Sequence, residues 1–386
     1  MFRVATLVTW TLWLGACDRT PEDDTTCAED LPLDVVIEPD AMGPDTQIHG
    51  TSAYANGNLW VAYNLPDSGG DFDVWLTRLA CDGSTAVPPF EASQSDDNEI
   101  DPVITIAGSR LLVAWTSDKG VGPANLDIRY RVFDHEGEAV TDVMELAASR
   151  DGVPVTGNAI SPTVDGAFGG FALAGSWGHE DAPGFQAFLV TLDRDGILVG
   201  EAEDINLDTV NGQTAVALST TQSGASHLVW QEDAIGSPDP TVSYASQGSA
   251  ATMVADPGAR PSVSTSGEEV WLAWDDNAGH LAARPPGGSA HTLALPAGMH
   301  HTPRIVATAD GAVLTWMEVA SGIYNRIHLA RLDSTGAIAS QFDLGTDAAP
   351  SIYPVDVTRL DAEHFFVVWQ EGENPDFRLR AMVLAL

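Results

Sequence analysis

Seven short runs of small and aliphatic residues each end in an aromatic side chain: Trp60-Val-Ala-Tyr63, Val113-Ala-Trp115, Ala174-Gly-Ser-Trp177, Leu228-Val-Trp230, Leu272-Ala-Trp274, Leu314-Thr-Trp316 and Val367-Val-Trp369. Subtracting residue numbers puts the final aromatics 42 to 62 residues apart. Recurrence on that scale marks a chain built from stacked supersecondary units, none of which can bury its own apolar faces alone. A large aromatic at one fixed place in each unit is suited to fill the space between neighbours.

The rest of the unit reads as strands. Ahead of most aromatic runs lies a short apolar segment opened by Pro, as at Pro102, Pro162, Pro261, Pro303 and Pro354. After the run come a polar loop and an alternating segment, such as Asp73-Val-Trp-Leu-Thr-Arg-Leu79 or Arg326-Ile-His-Leu-Ala-Arg-Leu332. A turn follows, as in Asp134-His-Glu-Gly137, Asp193-Arg-Asp-Gly196 or Asp333-Ser-Thr-Gly336, and then a fourth short segment. Segments of 4–8 alternating residues bounded by turn residues are strands. The chain therefore resembles an all-β, seven-bladed β-propeller of four-stranded antiparallel blades; six blades with an irregular insertion is the alternative. The C-terminal segment, Arg378 to Leu386, is a third-type strand with no successor, while Leu33–Ile37 precedes the first unit without a partner. Pairing the two closes the ring and covers an exposed edge.

The N-terminus gives an address. Arg3, an apolar run to Leu14 and then Leu14-Gly15-Ala16-Cys17 resemble the signal peptide and lipobox of a bacterial lipoprotein. The resemblance implies a signal peptide at 1–16, lipid on Cys17, a polar tether over 17–30 and a propeller over 31–386. It implies attachment to a membrane through the lipid and an extracytoplasmic place, periplasmic or on the cell surface. In an oxidising compartment the two remaining cysteines, Cys27 and Cys81, are expected to pair, stapling the ring where it closes.

Charge narrows the partners. The chain carries 55 acidic against 17 basic residues, a formal charge of −38, and its one lysine is Lys119. Such a field repels nucleic acid and anionic surfaces and suits a soluble monomer. Acids recur at set places. Glu232, Asp276, Glu318 and Glu371 stand two residues after the aromatic, and Asp118 and Glu180 stand one step later, beside His179. The run Asp96-Asp97-Asn98-Glu99-Ile100-Asp101 links two blades. Both loop types fall on one face of a propeller, around the channel mouth. This face is the expected ligand face, with Asp96, Asp97, Asn98, Glu99 and Asp101 a candidate Ca²⁺ site, since calcium takes several oxygen ligands.

Catalytic motifs are sparse. There is no Gly-x-Ser-x-Gly elbow, no phosphate loop with Gly-Lys, and no sialidase-type Ser-x-Asp-x-Gly-x-Thr-Trp box. Arg78, Arg131, Arg284, Arg331 and Arg380 recur near the end of the third strand, which points to structural pairing. No catalytic residue is assigned. The expectation is a non-catalytic binding or scaffold module for envelope proteins or polysaccharide. A glycoside hydrolase or lyase using rim carboxylates is the alternative. An enzyme should reveal itself by non-repeated polar residues converging on the channel, and the third unit, Trp177 to Asp181, departs most from the pattern.

Overall fold

A computed structural model describes residues 35–37, 48–66, 70–80, 83–93, 95–119, 126–146, 149–150, 153–154, 159–167, 169–178, 184–205, 211–234, 239–321, 324–344, 355–373 and 376–386. Cys17, Cys27, Cys81, His179 and Glu180 lie outside them. Among the described residues all regular structure is strand. Seven four-stranded antiparallel sheets form a seven-bladed propeller. Blade 1 covers 48–91, blade 2 98–145, blade 3 159–204, blade 4 211–255, blade 5 259–292, blade 6 300–344 and blade 7 356–385. Within each blade the strands run a to d from the channel outward, in chain order. In blade 7 strand d is Val35–Ile37, with Val35 opposite Ala381 and Ile37 opposite Leu379. The N-terminal segment thus closes the ring, as the unpaired C-terminal strand requires.

There is no single core. One apolar layer fills each junction between blades. Between blades 1 and 2 it holds Trp60, Val74, Leu111, Val113, Trp115 and Phe133. At the closing junction it holds Ile37, Leu59, Tyr63, Phe366 and Leu379. Tyr63, Trp115, Trp230, Trp316 and Trp369 are among the largest fully buried side chains, which is why the aromatic recurs once per blade. The Asp-Gly turns between strands c and d dock downward onto the preceding blade. Gly137 has φ +93°, and a Cβ there would stand 2.8 Å from the Trp60 ring. The Asp that opens each turn caps it: Asp193 Oδ1 accepts the N–H groups of Asp195 and Ile197, and Asp333 Oδ1 those of Thr335 and Ala337.

The inner strand of every blade has a free edge, because only its outer side pairs. Side chains of the preceding blade satisfy those N–H groups. Ser262 Oγ accepts from Ile305 N, Ser264 Oγ from Ala307 N, Ser219 Oγ from Thr265 N, Asp165 from Thr220 N and Asp356 from Ser52 N, at 2.7–3.1 Å. An enclosed edge without such partners would leave backbone donors unmet.

Candidate functional site at the channel mouth

The inner strands of blades 1 to 6 each carry a bulge at their entry. His49, Asp101, Ser161, Ala215, Arg260 and Thr302 occupy the same place in blades 1 to 6, with φ between 46° and 55°. In four of the six a proline follows, at 102, 162, 261 and 303. The register with strand b shifts at each of these places. A left-handed non-glycine residue costs about 1–2 kcal/mol, so its sixfold repetition is architectural. The residue directly after the anchor aromatic helps hold it. Thr116 Oγ1 accepts Ser161 N at 3.0 Å, Gln231 Oε1 accepts Arg260 N at 3.0 Å and Asp275 Oδ2 accepts Thr302 N at 3.3 Å.

The bulge delivers all six residues to the wall of one central channel of about 430 Å³. That volume lies within the roughly 300–1,000 Å³ of small-ligand sites. The backbone device is repeated, but the side chains are not. His49 Nδ1 lies 3.1 Å from Asp101 Oδ1. Burial would raise the Asp101 carboxyl, but the His49 hydrogen bond and charge outweigh it and hold it below its ordinary value. Arg260 donates from Nε and Nη2 to the two oxygens of the fully buried Asp275, at 2.7 and 2.6 Å. Deeper in the wall, Asp356 accepts Ser52 N–H at 2.7 Å and the Ser52 hydroxyl at 2.9 Å. Burial raises its carboxyl despite those bonds and the nearby Arg304 and His49. The pattern-breaking polar residues described therefore lie on the inner strands of blades 1, 2, 5, 6 and 7; of the third unit's Trp177–Asp181, His179 to Asp181 lie outside the described residues. For Asp101, Arg260 and Arg304 the signal in the sequence is the place just before or just after the opening proline.

The acids foreseen as an open rim are mostly engaged. Glu232 Oε1 accepts the Trp230 indole N–H at 3.0 Å. Asp276 caps a hairpin through Ala278 N and His280 N and pairs with the His280 ring at 2.7 Å. Glu318 meets His328 Nε2 at 2.9 Å, and that ring stacks on Trp316 with centroids 5.3 Å apart. Glu371 takes Arg380 Nη1 at 2.8 and 3.0 Å. Arg380 is therefore not equivalent to Arg78, Arg131 and Arg331: it pairs with the strand b acid Glu371 of its own blade, while Arg129 pairs with Asp97 in the loop ahead of its inner strand. Those three instead reach their neighbours' turns and carbonyls, Arg78 to His135 O, Arg131 to Ala92 O and Arg331 to Leu386 O.

The run 96–101 does not converge on one point. Asp97 pairs with Arg129 at 2.7 Å, Asn98 Oδ1 accepts Phe72 N, and Asp101 faces His49 in the channel. Glu99 is wholly enclosed, hydrogen-bonded by Ser95, and its carboxyl is pushed up to about 7 by burial, with Asp73 adding to the rise. Asp96, Asp97 and Asp118 share a surface pocket with Asp71 and Lys119 at the junction of blades 1 and 2. Among the described residues no group of three or more His, Cys, Asp or Glu is placed to hold a metal ion.

No family model matches the sequence, and no curated protein matches it. Solved structures do share the fold. The chain is similar to a protein of unknown function from Dyadobacter fermentans DSM 18053, at 10% identity over 92% of this chain and 98% of that one, with TM-score 0.57. It is similar to the polysaccharide lyase Uly1, at 11% identity over 87% and 89%, TM-score 0.57. It is similar to the α-L-arabinanase of Penicillium chrysogenum, at 12% identity over 78% and 98%, TM-score 0.51. At such identity the likeness shows the fold alone, because propellers host binding and catalysis alike.

Proposed function

We propose that this protein is a binding module of the cell envelope, anchored by a lipid on Cys17 and presenting its channel mouth to a polar ligand. The observation behind this reading is that the mouth residues break the blade repeat while each is already fixed by a partner. His49 is set by Asp101, Arg260 by Asp275 and Asp356 by Ser52. Side chains held in one geometry recognise shape and charge at low entropic cost. General acid–base work instead needs a group with a proton to exchange, within reach of substrate. The most strongly placed titrating carboxyl, Glu99, is sealed from solvent. Neutral polysaccharide or envelope protein suits the ligand class better than a polyanion, since the surface field of −38 repels polyanions. The anchor reading rests on the lipobox, with Cys27–Cys81 pairing as its companion in an oxidising compartment.

The test incubates the purified chain with a panel of neutral and uronate-containing polysaccharides and follows both the bound fraction and product release. Saturable binding without new reducing ends or unsaturated uronates is the expected result. Product release that is lost in His49→Ala and Asp101→Asn would replace this reading with the hydrolase or lyase one. Labelling cells with radioactive palmitate should mark the wild-type chain and leave Cys17→Ser unmarked; label on both would remove the anchor.

A further inference from the structure

Arg304 stands out among the channel residues. It lies two places after the left-handed residue of blade 6, in the wall below the mouth. The equivalent places in the other blades hold Thr51, Val103, Thr163, Ala217, Ser262 and Val355, all small or aliphatic. One of the few cations in a strongly acidic chain thus lines the central channel. Arg260 spends its fork on Asp275, Arg129 on Asp97 and Arg380 on Glu371. The Arg304 guanidinium, half-buried, donates no hydrogen bond to any described residue and attracts Asp356 without forming an ion pair with it. Five N–H donors in a rigid planar fork face the channel without a protein acceptor among the described residues, which leaves them available to an oxyanion.

We propose that Arg304 is the anchor for a single carboxylate group of the ligand, bound in the channel by its guanidinium fork. This deepens the reading of the mouth as a recognition site and rests on it. The planar fork matches a carboxylate in two parallel hydrogen bonds, whereas a tetrahedral oxyanion presents a different oxygen spacing. The hydroxyls of Thr163 and Ser262 stand at the same level of the wall and suit the polar body that carries the carboxylate. The surface field selects a ligand with one such group on an otherwise neutral frame, because a polyanion would be repelled before reaching the mouth.

Asp356 makes the site pH-sensitive. It faces Arg304 on blade 6 and Ser52 and His49 on blade 1; the Ser52 hydroxyl also meets Thr358, and His49 in turn faces Asp101. Ionised, Asp356 competes with the incoming carboxylate for Arg304; protonated, it does not. Ligand binding therefore takes up a proton, and affinity rises as pH falls toward the carboxylate range.

The experiment titrates the full chain with acetate, inorganic phosphate and chloride at constant ionic strength, by calorimetry and by thermal shift. Saturable acetate binding is expected, stronger than that of phosphate or chloride. It should weaken at least tenfold in Arg304→Gln, partly recover in Arg304→Lys, and lose its pH dependence in Asp356→Asn, with tighter binding at pH 7.5. Circular dichroism checks that each variant is folded; if Arg304→Gln is not, Arg304→Lys and Asp356→Asn carry the test. Acetate binding unchanged in the Arg304 variants, or no saturable binding of acetate by the wild type, would overturn the proposal. If polysaccharide still bound at the mouth in that case, the broader reading would stand without the carboxylate.

Discussion

Replacing Asp165 by Asn should flatten the pH dependence of stability. Asp165 lies on the inner strand of blade 3, where it accepts Thr220 N–H at 2.7 Å, Gly166 N–H at 2.7 Å and the Ser219 hydroxyl at 3.3 Å. Burial raises its carboxyl from 3.8 to about 6, and those hydrogen bonds pull it only part of the way back. A carboxyl raised in the folded state keeps its proton there after the unfolded chain has released it. The stability it contributes is therefore fully present below 3.8 and is lost as pH rises through about 6. The whole span is worth up to about 3 kcal/mol, at about 1.4 kcal/mol per pKa unit, and the partial exposure of Asp165 makes that an upper bound. Between about pH 4.5 and about pH 7.5 the wild type should lose about 2 kcal/mol on this account, and Asp165→Asn should lose none of it. The amide forfeits one acceptor, a constant cost of about 1–2 kcal/mol that does not vary with pH. Urea unfolding of both proteins at the two pH values gives the difference of differences, in which the repulsion of the −38 surface cancels. Equal pH slopes in the two proteins would refute the reasoning.

Three further outcomes follow from the packing. Gly137→Ala places a methyl 2.8 Å from the Trp60 ring at φ +93° and should cost about 2–4 kcal/mol, while Gly200→Ala, at φ +84° with open space around it, should cost only the backbone strain of about 1–2 kcal/mol; denaturant melts of the pair separate the two contributions. Trp316→Ala, which empties the layer between blades 5 and 6 and unstacks His328, should lose about 3–5 kcal/mol in the same assay. Arg129→Met leaves Asp97 and Glu99 beside Asp73 without their cation, at a cost of about 3 kcal/mol. That cost should be larger at pH 8 than at pH 5, because Glu99 is protonated below about 7 and then needs no counter-charge.

The blade plan was legible in the sequence because its causes are local and repeated. An aromatic recurs in every blade, a proline opens the inner strand in most of them, and an Asp-Gly turn caps the outer hairpin in several. The closing strand was legible from bookkeeping, since Arg378–Leu386 lacked a partner and Leu33–Ile37 offered one. The site was not, for two physical reasons. Acids such as Glu318 and Glu371 looked bare because their partners, His328 and Arg380, sit across a strand pair and are invisible to spacing along the chain. Asp101 looked like part of one acidic run, but strand alternation buries Glu99 and the bulge turns Asp101 into the channel. Arg260 and Arg304 flank the opening prolines of blades 5 and 6. Only the bulge, which no residue type announces, makes those places channel-lining. The residue after each aromatic, from Asn64 to Gln370, was likewise passed over, although several of them tie one blade to the bulge of the next.

The claim on which the account turns is that recognition happens at the channel mouth. Backbone hydrogen exchange of the chain, with and without a polysaccharide that it binds, tests this directly. Slowed exchange at His49–Ser52, Asp101–Ile104 and Thr302–Ile305, with the Asp-Gly turns of the opposite face unchanged, is the predicted result. Protection confined to those turns, around Asp193–Ile197 and Asp333–Ala337, would contradict it.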